Sequence, residues 1–322
     1  MSERIYNDLI IDGHTHIAST RFIPRGFLEG VASNAAARMG AMGVHRSLDD
    51  LVKDFEKRHQ DHDGDHLICE MDAAGIAQSV LLLPDFTHVM ESELSIADMF
   101  DLHHAILKRH PGRFHVFAGV DPFGPQDGVA LFEKGVTEYG FSGLKLYPPC
   151  GYSPSDRALY PYFDLCRQHK LPVLLHVGPT APTLSFSYST PYLVDQAARD
   201  FPDVKFILAH GAVHFVDDCV ALCGYRPNIY LDISAFTSSD HPGGWRAALA
   251  ELFARNVNHK IIFGTDWPVS KTLNGHKKTL DAFLHPEGPL ARVSAVQRRW
   301  IMLENMQRML PARAVPTRTQ QS

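Results

Sequence analysis

Eight short apolar runs, most of them followed by a longer amphipathic stretch, constrain this chain more than any other feature. They are residues 8–13 (DLIIDG), 79–84 (SVLLLP), 114–120 (FHVFAGV), 143–147 (GLKLY), 172–177 (PVLLHV), 204–209 (VKFILA), 229–234 (IYLDIS) and 260–265 (KIIFGT). Nearly continuous apolar character, rather than strict alternation, is what strands covered on both faces require. Amphipathic segments at 91–110, 126–139, 155–169, 190–200 and 243–256 lie between the runs, and a last helix is expected near 294–310. Ser155 and Thr190 are capping-type residues at two of the helix starts. After the first strand, strand starts recur about every 25 to 35 residues, the length of one βαβ unit. Right-handed crossovers then give either an open doubly wound sheet or a closed barrel.

The polar residues separate the two. Ionisable groups stand at the C-terminal ends of runs one, four, five, six and eight, and only barrel closure brings ends so distant in sequence to one point. An open sheet would favour a glycine-rich phosphate loop after the first strand, and no G-x-G-x-x-G follows it. The expected fold is therefore a (β/α)8 TIM barrel, a single domain over residues 1–310, with a long insertion after the first strand. That insertion, residues 18–64, must emerge on the catalytic face. Its Arg21, Arg25, Arg38 and Arg46, with Gly26, Gly30, Gly40 and Gly43, suit a lid or substrate-recognition loop. The tail at 311–322 (PARAVPTRTQQS) reads as disordered.

Composition excludes several classes of partner. With 45% hydrophobic and 21% charged residues the chain buries a large core, and a net charge of -5 with scattered Lys and Arg provides no field for nucleic acid. No leader pattern or bilayer-length apolar run is present, so a cytoplasmic protein without a membrane partner is expected. Five widely spaced cysteines fit reduced thiols, and Cys219 and Cys223 lack the second pair that a structural zinc site needs. The expected partner is a small-molecule substrate, with a homo-oligomer left open.

The first strand ends in Asp12-Gly-His14-Thr-His16, where alternation places both histidines on one face. His176, His210 and Asp266 each close another apolar run. Burying such a group costs several kcal/mol unless a metal or hydrogen-bond partner takes it up. Imidazole and carboxylate ligands suit Zn2+, with iron, manganese, cobalt or nickel admitted. Zinc would lower the pKa of a bound water from about 15.7 towards about 7. Asp12, read as lying on the same face, is expected either to orient an imidazole or to be a buried structural carboxylate. Lys145 and Tyr147 share a face of the fourth strand and are candidates for substrate contact. Asp85, Asp121 and Asp232 also lie at or near strand ends, the first two explained by turn chemistry. His59, His62, His66, His103 and His104 are read as surface residues.

The motifs DGHTH, GLKLYP, LLHVG, LAHGA and FGTDWP, spread from Asp12 to Asp266, resemble the amidohydrolase-related branch of the amidohydrolase superfamily. That branch includes metal-dependent hydrolases, lactonases and decarboxylases of the aminocarboxymuconate-semialdehyde type. The resemblance implies that His14, His16, His176 and Asp266 are metal ligands, with His210 and Asp266 as catalytic proton carriers. It implies one ion, with a carboxylated Lys145 bridging two as the alternative. The expected function is metal-dependent hydrolysis of a small amide, lactone or ester, and the alternative is non-oxidative decarboxylation of an unsaturated or aromatic acid. Arg21 and Arg25, close to His16 in sequence, are expected to hold a substrate carboxylate.

Overall fold

In the computed structural model, which describes residues 9–124, 127–211, 213–239, 241–268 and 275–312, each apolar run forms a strand. These are β1 (Ile10–Thr15), β2 (Ile76–Leu83), β3 (Phe114–Ala118), β4 (Gly143–Leu146), β5 (Val173–His176), β6 (Phe206–Ala209), β7 (Ile229–Asp232) and β8 (Ile261–Ile262). They pair in parallel in chain order, and backbone bonds from Gly13 to Phe263, from Asp266 to His14 and from His16 to Trp267, each 2.8 Å, join β8 to β1. The result is a (β/α)8 barrel. Residues 313–322, most of the expected tail, lie outside the described residues.

Alternation sorts the strand side chains into two layers. Ile11, Val80, Leu82, Phe117, Leu174, Ile207 and Ile262 fill the barrel interior, closed at the bottom by Leu303, Met306 and Met309. Their neighbours in sequence, such as Ile10, Leu81, Leu83, Leu175 and Leu208, pack outward with the helices. A side chain on Gly143 would meet the Phe117 ring at 2.6 Å, so glycine is required where β4 passes the β3 aromatic.

The helices in chain order are α1 (Arg25–Ala41), α2 (Leu48–Arg58), α3 (Asp65–Ala74), α4 (Ile96–Arg109), α5 (Gly128–Thr137), α6 (Tyr160–His169), α7 (Asp195–Asp200), α8 (Val216–Tyr225), α9 (Gly244–Phe253), α10 (His276–Leu284) and α11 (Ala295–Arg299). A π-helical turn, Trp300–Glu304, and α12 (Asn305–Gln307) complete the last segment. Ser294 caps α11 reciprocally with Gln297. Two expected caps differ. Asp156, not Ser155, receives the backbone N–H at the start of the α6 segment, while Ser155 Oγ donates to Leu193 O; Thr190 makes no capping bond with its side chain. No helix among the described residues is long and apolar enough to cross a membrane.

The 18–64 insertion is mostly helical rather than an open loop. Its α1 and α2 bury Ala32, Leu51 and Val52 against each other, with Ser47 capping α2. One stripe of α1 at i, i+3 and i+7 lies on the barrel mouth. Phe27 sits 4.9 Å from the Phe86 ring and 6.2 Å from Tyr147, a Cβ on Gly30 would lie 2.7 Å from Ala181, and Asn34 donates to Thr180 O at 3.3 Å.

Candidate metal centre

β1 does not run evenly into the site. Asp12 pairs with Ser79 and Thr15 with Leu81, so one extra residue is accommodated between them. Such an irregularity re-aims the side chains beyond it. Asp12, expected on the face of His14 and His16, instead bonds sideways to β8: its oxygens accept from Thr265 N at 3.0 Å, Thr265 Oγ1 at 2.7 Å and His14 N at 3.2 Å. Beyond the irregularity, His14 Nε2 and His16 Nε2 lie 3.3 and 3.4 Å from Asp266 Oδ1. A Cβ on Gly264 would lie 2.8 Å from that of His14, so glycine lets the end of β8 approach so closely.

His14 is oriented by Asp232, a residue to which the sequence reading gave no role. Asp232 Oδ2 accepts from His14 Nδ1 at 2.8 Å, while Oδ1 accepts from His210 N at 2.9 Å, Ser234 N at 3.0 Å and the Ser234 hydroxyl. Ser234 Oγ, having given its proton to Asp232, accepts from His210 Nδ1 at 2.9 Å. His16 donates Nδ1–H to Leu82 O at 2.8 Å. These bonds leave the Nε2 lone pairs of His14, His16 and His210 available. His14 Nε2 is buried with no hydrogen-bond partner.

His14, His16 and Asp266 offer ligand atoms within 4.8 Å of one another, and His14, His210 and Asp232 form an overlapping group. His176 belongs to neither. Its Nε2 is held by Pro179 O at 3.0 Å and its ring stacks on Tyr147 at 4.4 Å, one position out from His210 at 5.0 Å. Both predicted catalytic residues adopt left-handed backbone, with φ of 60° at His210 and 56° at Asp266. For non-glycine residues such conformations cost on the order of 1–3 kcal/mol and cluster at functional sites.

Asp232 and Asp266 set the charge balance of the cluster. Burial pulls the His14 imidazole down, but Asp232 and Asp266 outweigh it and hold it up at about 8. Burial opposes charge on the two carboxylates, yet the surrounding imidazoles keep Asp232 at about 2 and Asp266 well below the usual range. His210, desolvated and beside His14 and Lys145, is pushed down to about 4. The buried nitrogen without a partner, two further imidazole lone pairs and an anionic oxygen fit a divalent ion of borderline hardness, and His16 and Asp266 keep 18% and 11% side-chain exposure through which it is reached.

Lys145 is buried, and among the described residues its ammonium makes no hydrogen bond or ion pair; it lies 5.8 Å from the Tyr147 ring, and burial lowers it to about 8. The Tyr147 hydroxyl is engaged with Thr180 Oγ1 at 2.9 Å. The two arginines are occupied elsewhere. Arg25 pairs with Glu29 and Glu56, both at 2.8 Å, on an exposed face, and Arg21 lies 3.7 Å from Glu93. Asp85 and Asp121 hold turns, through Thr87 N and Phe123 N, both at 2.9 Å. His59 and His103, read as surface residues, are buried and bond to Phe55 O and Met99 O one turn back. All five cysteines are free thiols, four of them buried, and neither Cys219 nor Cys223 belongs to a group of possible metal ligands among the described residues.

Solved structures share this barrel. An uncharacterized TIM-barrel protein from Bordetella bronchiseptica is 21% identical, with a TM-score of 0.67 over 94% of this chain and 98% of that one. A 5-carboxyvanillate decarboxylase from Novosphingobium aromaticivorans, complexed with manganese and 4-hydroxy-3-methoxy-5-nitrobenzoic acid, is 14% identical, with a TM-score of 0.61 over 95% and 96%. A 4-oxalomesaconate hydratase from Rhodopseudomonas palustris is 16% identical, with a TM-score of 0.60 over 94% and 96%. At these identities the likeness is one of fold. No curated protein sequence matches. The amidohydrolase family profile matches residues 11–312, nearly the whole described barrel with its histidine and aspartate cluster, and the chain belongs to that family.

Proposed function

We propose that this chain is a metal-dependent hydrolase of a small amide, lactone or ester that carries a carboxylate. The observation that carries the reading is the convergence of His14 Nε2, buried and without a hydrogen-bond partner, with His16 Nε2 and Asp266 Oδ1 at the barrel mouth. A divalent ion bound there, Zn2+ in our reading, supplies a Lewis acid for the scissile carbonyl and lowers the pKa of water. Asp232 fixes the His14 tautomer, and Leu82 O fixes that of His16. His210, anchored through Nδ1 on Ser234 and neutral at pH 7, accepts the proton of the attacking water at Nε2 and returns it to the leaving group. Asp266 shares that proton at its carboxylate. The Lys145 ammonium, supported at longer range by Asp232 and Asp266 but in no close ion pair among the described residues, receives the substrate carboxylate. We assign His176 to the same centre as the fourth ligand, reached once its ring leaves Pro179 O.

A second reading, non-oxidative decarboxylation of an unsaturated or aromatic acid, is favoured by the same unpaired Lys145 and by likeness to a decarboxylase of an aromatic acid. Product analysis separates the two. Metal-stripped protein reloaded with Zn2+ or Mn2+ is incubated at pH 8 with panels of lactones, esters, amides and hydroxybenzoates. Hydrolysis yields the carboxylic acid with its alcohol or amine and no carbon dioxide, whereas decarboxylation yields the arene or alkene and carbon dioxide, collected with its bicarbonate by acidifying a sealed reaction. Hydrolysis products abolished by chelation support the first reading. Carbon dioxide with loss of the substrate carboxylate replaces it by the second, and turnover indifferent to chelation removes both.

A further inference from the structure

Behind the candidate centre, where α10 lies against the junction of β1 and β8, a buried histidine remains that the mechanism does not use. His276, the first residue of α10, is fully buried, with its ring 4.7 Å from that of Trp267. Its Nε2 lies 3.4 Å from Asp12 Oδ2 and 3.3 Å from Thr265 Oγ1. Its backbone N–H donates to Glu70 Oε2 at 3.0 Å, which ties the start of α10 to α3.

A proton inventory fixes what this imidazole does. The Thr265 hydroxyl gives its single proton to Asp12 Oδ2 and accepts from Trp267 N at 3.2 Å. It has no second proton for His276, so Nε2 of His276 is the N–H that donates to Thr265 Oγ1, with Asp12 Oδ2 beside it. Asp12, which accepts from Thr265 N, Thr265 Oγ1 and His14 N, is thereby tied through the Thr265 hydroxyl to an imidazole outside the barrel, whose Nε2 also lies at ion-pair distance from it. Those bonds tie the start of the His14 to His16 segment to the residue preceding Asp266. The spacing between the β1 imidazoles and the β8 carboxylate is thus set at Asp12, and Asp12 is held in turn by His276.

We propose that His276 is a positioning residue: acting through Asp12 and Thr265, it fixes the separation of His14 and His16 from Asp266 and so the affinity and symmetry of the ion they hold. This rests on the metal-centre reading above. Purified full-length protein is stripped of metal and titrated with Co2+, whose visible absorption reports ligand geometry, and Zn2+ affinity is measured by chelator competition. His276→Leu, which keeps apolar volume but supplies no donor, should weaken binding about 10- to 100-fold, the usual effect of losing a group that orients ligands, and should alter the Co2+ spectrum. His276→Gln, whose amide can donate to the same oxygens, should recover most of both. A purely structural role predicts a lower melting temperature of the metal-free protein with unchanged affinity and spectrum, and that result would overturn the proposal. If His276→Leu does not fold, Thr265→Val removes the hydroxyl that joins the imidazole to Asp12 and carries the same expectation. If the parent protein binds no Co2+, the metal-centre reading falls together with this one, whereas binding that is indifferent to all three substitutions overturns this proposal alone.

Discussion

Asp232→Asn makes the sharpest test of how the centre is organised, because the substitution conserves shape and changes only where protons sit. Three donors, His210 N, Ser234 N and Ser234 Oγ, converge on Oδ1 of Asp232. An asparagine must therefore place its carbonyl oxygen there, which leaves its NH2 group at the Oδ2 position, 2.8 Å from His14 Nδ1. Two donors would then face each other, so His14 must move its proton to Nε2, the atom needed to bind the ion. Loss of an orienting carboxylate typically costs about 10- to 100-fold in metal affinity, or about 1.4–2.7 kcal/mol. Chelator competition measures the affinity, and 15N shifts of the labelled imidazole in metal-free protein above about pH 9, where His14 is neutral in the parent, identify the tautomer. Affinity within about twofold of the parent, with Nε2 still unprotonated, would refute the reasoning.

Four further outcomes are expected. His14→Ala and Asp266→Ala should lose the ion, whereas His210→Ala should keep it and lose about 10²-fold or more in turnover, as elemental analysis beside kinetics will show. Lys145→Met removes a desolvated ammonium with no partner among the described residues, so melting temperature should rise while kcat/KM for a carboxylate substrate falls; a lower melting temperature would contradict this. Arg25→Ala should change kcat/KM by less than about threefold, since Glu29 and Glu56 hold the guanidinium, and Phe27→Ala by more, because its ring abuts Tyr147. Burial holds His103 down at about 4 against 6.5 in the unfolded chain. The unfolded state takes up that proton first as pH falls, so stability is intact above about pH 6.5 and drains away towards pH 4, by up to about 3 kcal/mol. Urea titrations of His103→Leu should show a shallower acid slope than the parent.

The barrel was legible because apolar runs at βαβ spacing admit few topologies, and His14, His16, His210 and Asp266 because each polar group interrupts a run at its end. Asp232 and Ser234 carried the same signal, polar residues at alternate positions at the end of β7, but nothing in the sequence ties Asp232 to an imidazole 218 residues away. Asp12 was misplaced because strict alternation was carried through a strand that absorbs an extra residue after it. His276 gave no signal: it opens a helix, and its role depends on α10 lying against the junction of β1 and β8. The insertion read as a loop because its glycines and alanines leave α1 without a clear apolar stripe, although that helix packs through small residues such as Gly30. The arginines were judged by sequence distance from His16, which says nothing about nearby Glu29, Glu56 and Glu93 competing for them.

The left-handed backbone at His210 and Asp266 has a consequence for anyone engineering this protein. Glycine adopts such φ values without steric cost, and asparagine with little. A mutant library selected for heat resistance alone would therefore favour glycine or asparagine at position 210, and asparagine at 266 would pass such a selection too, yielding sturdy barrels emptied of their chemistry. Stability screens on this chain should hold residues 210 and 266 fixed, or pair every round with an assay of metal content.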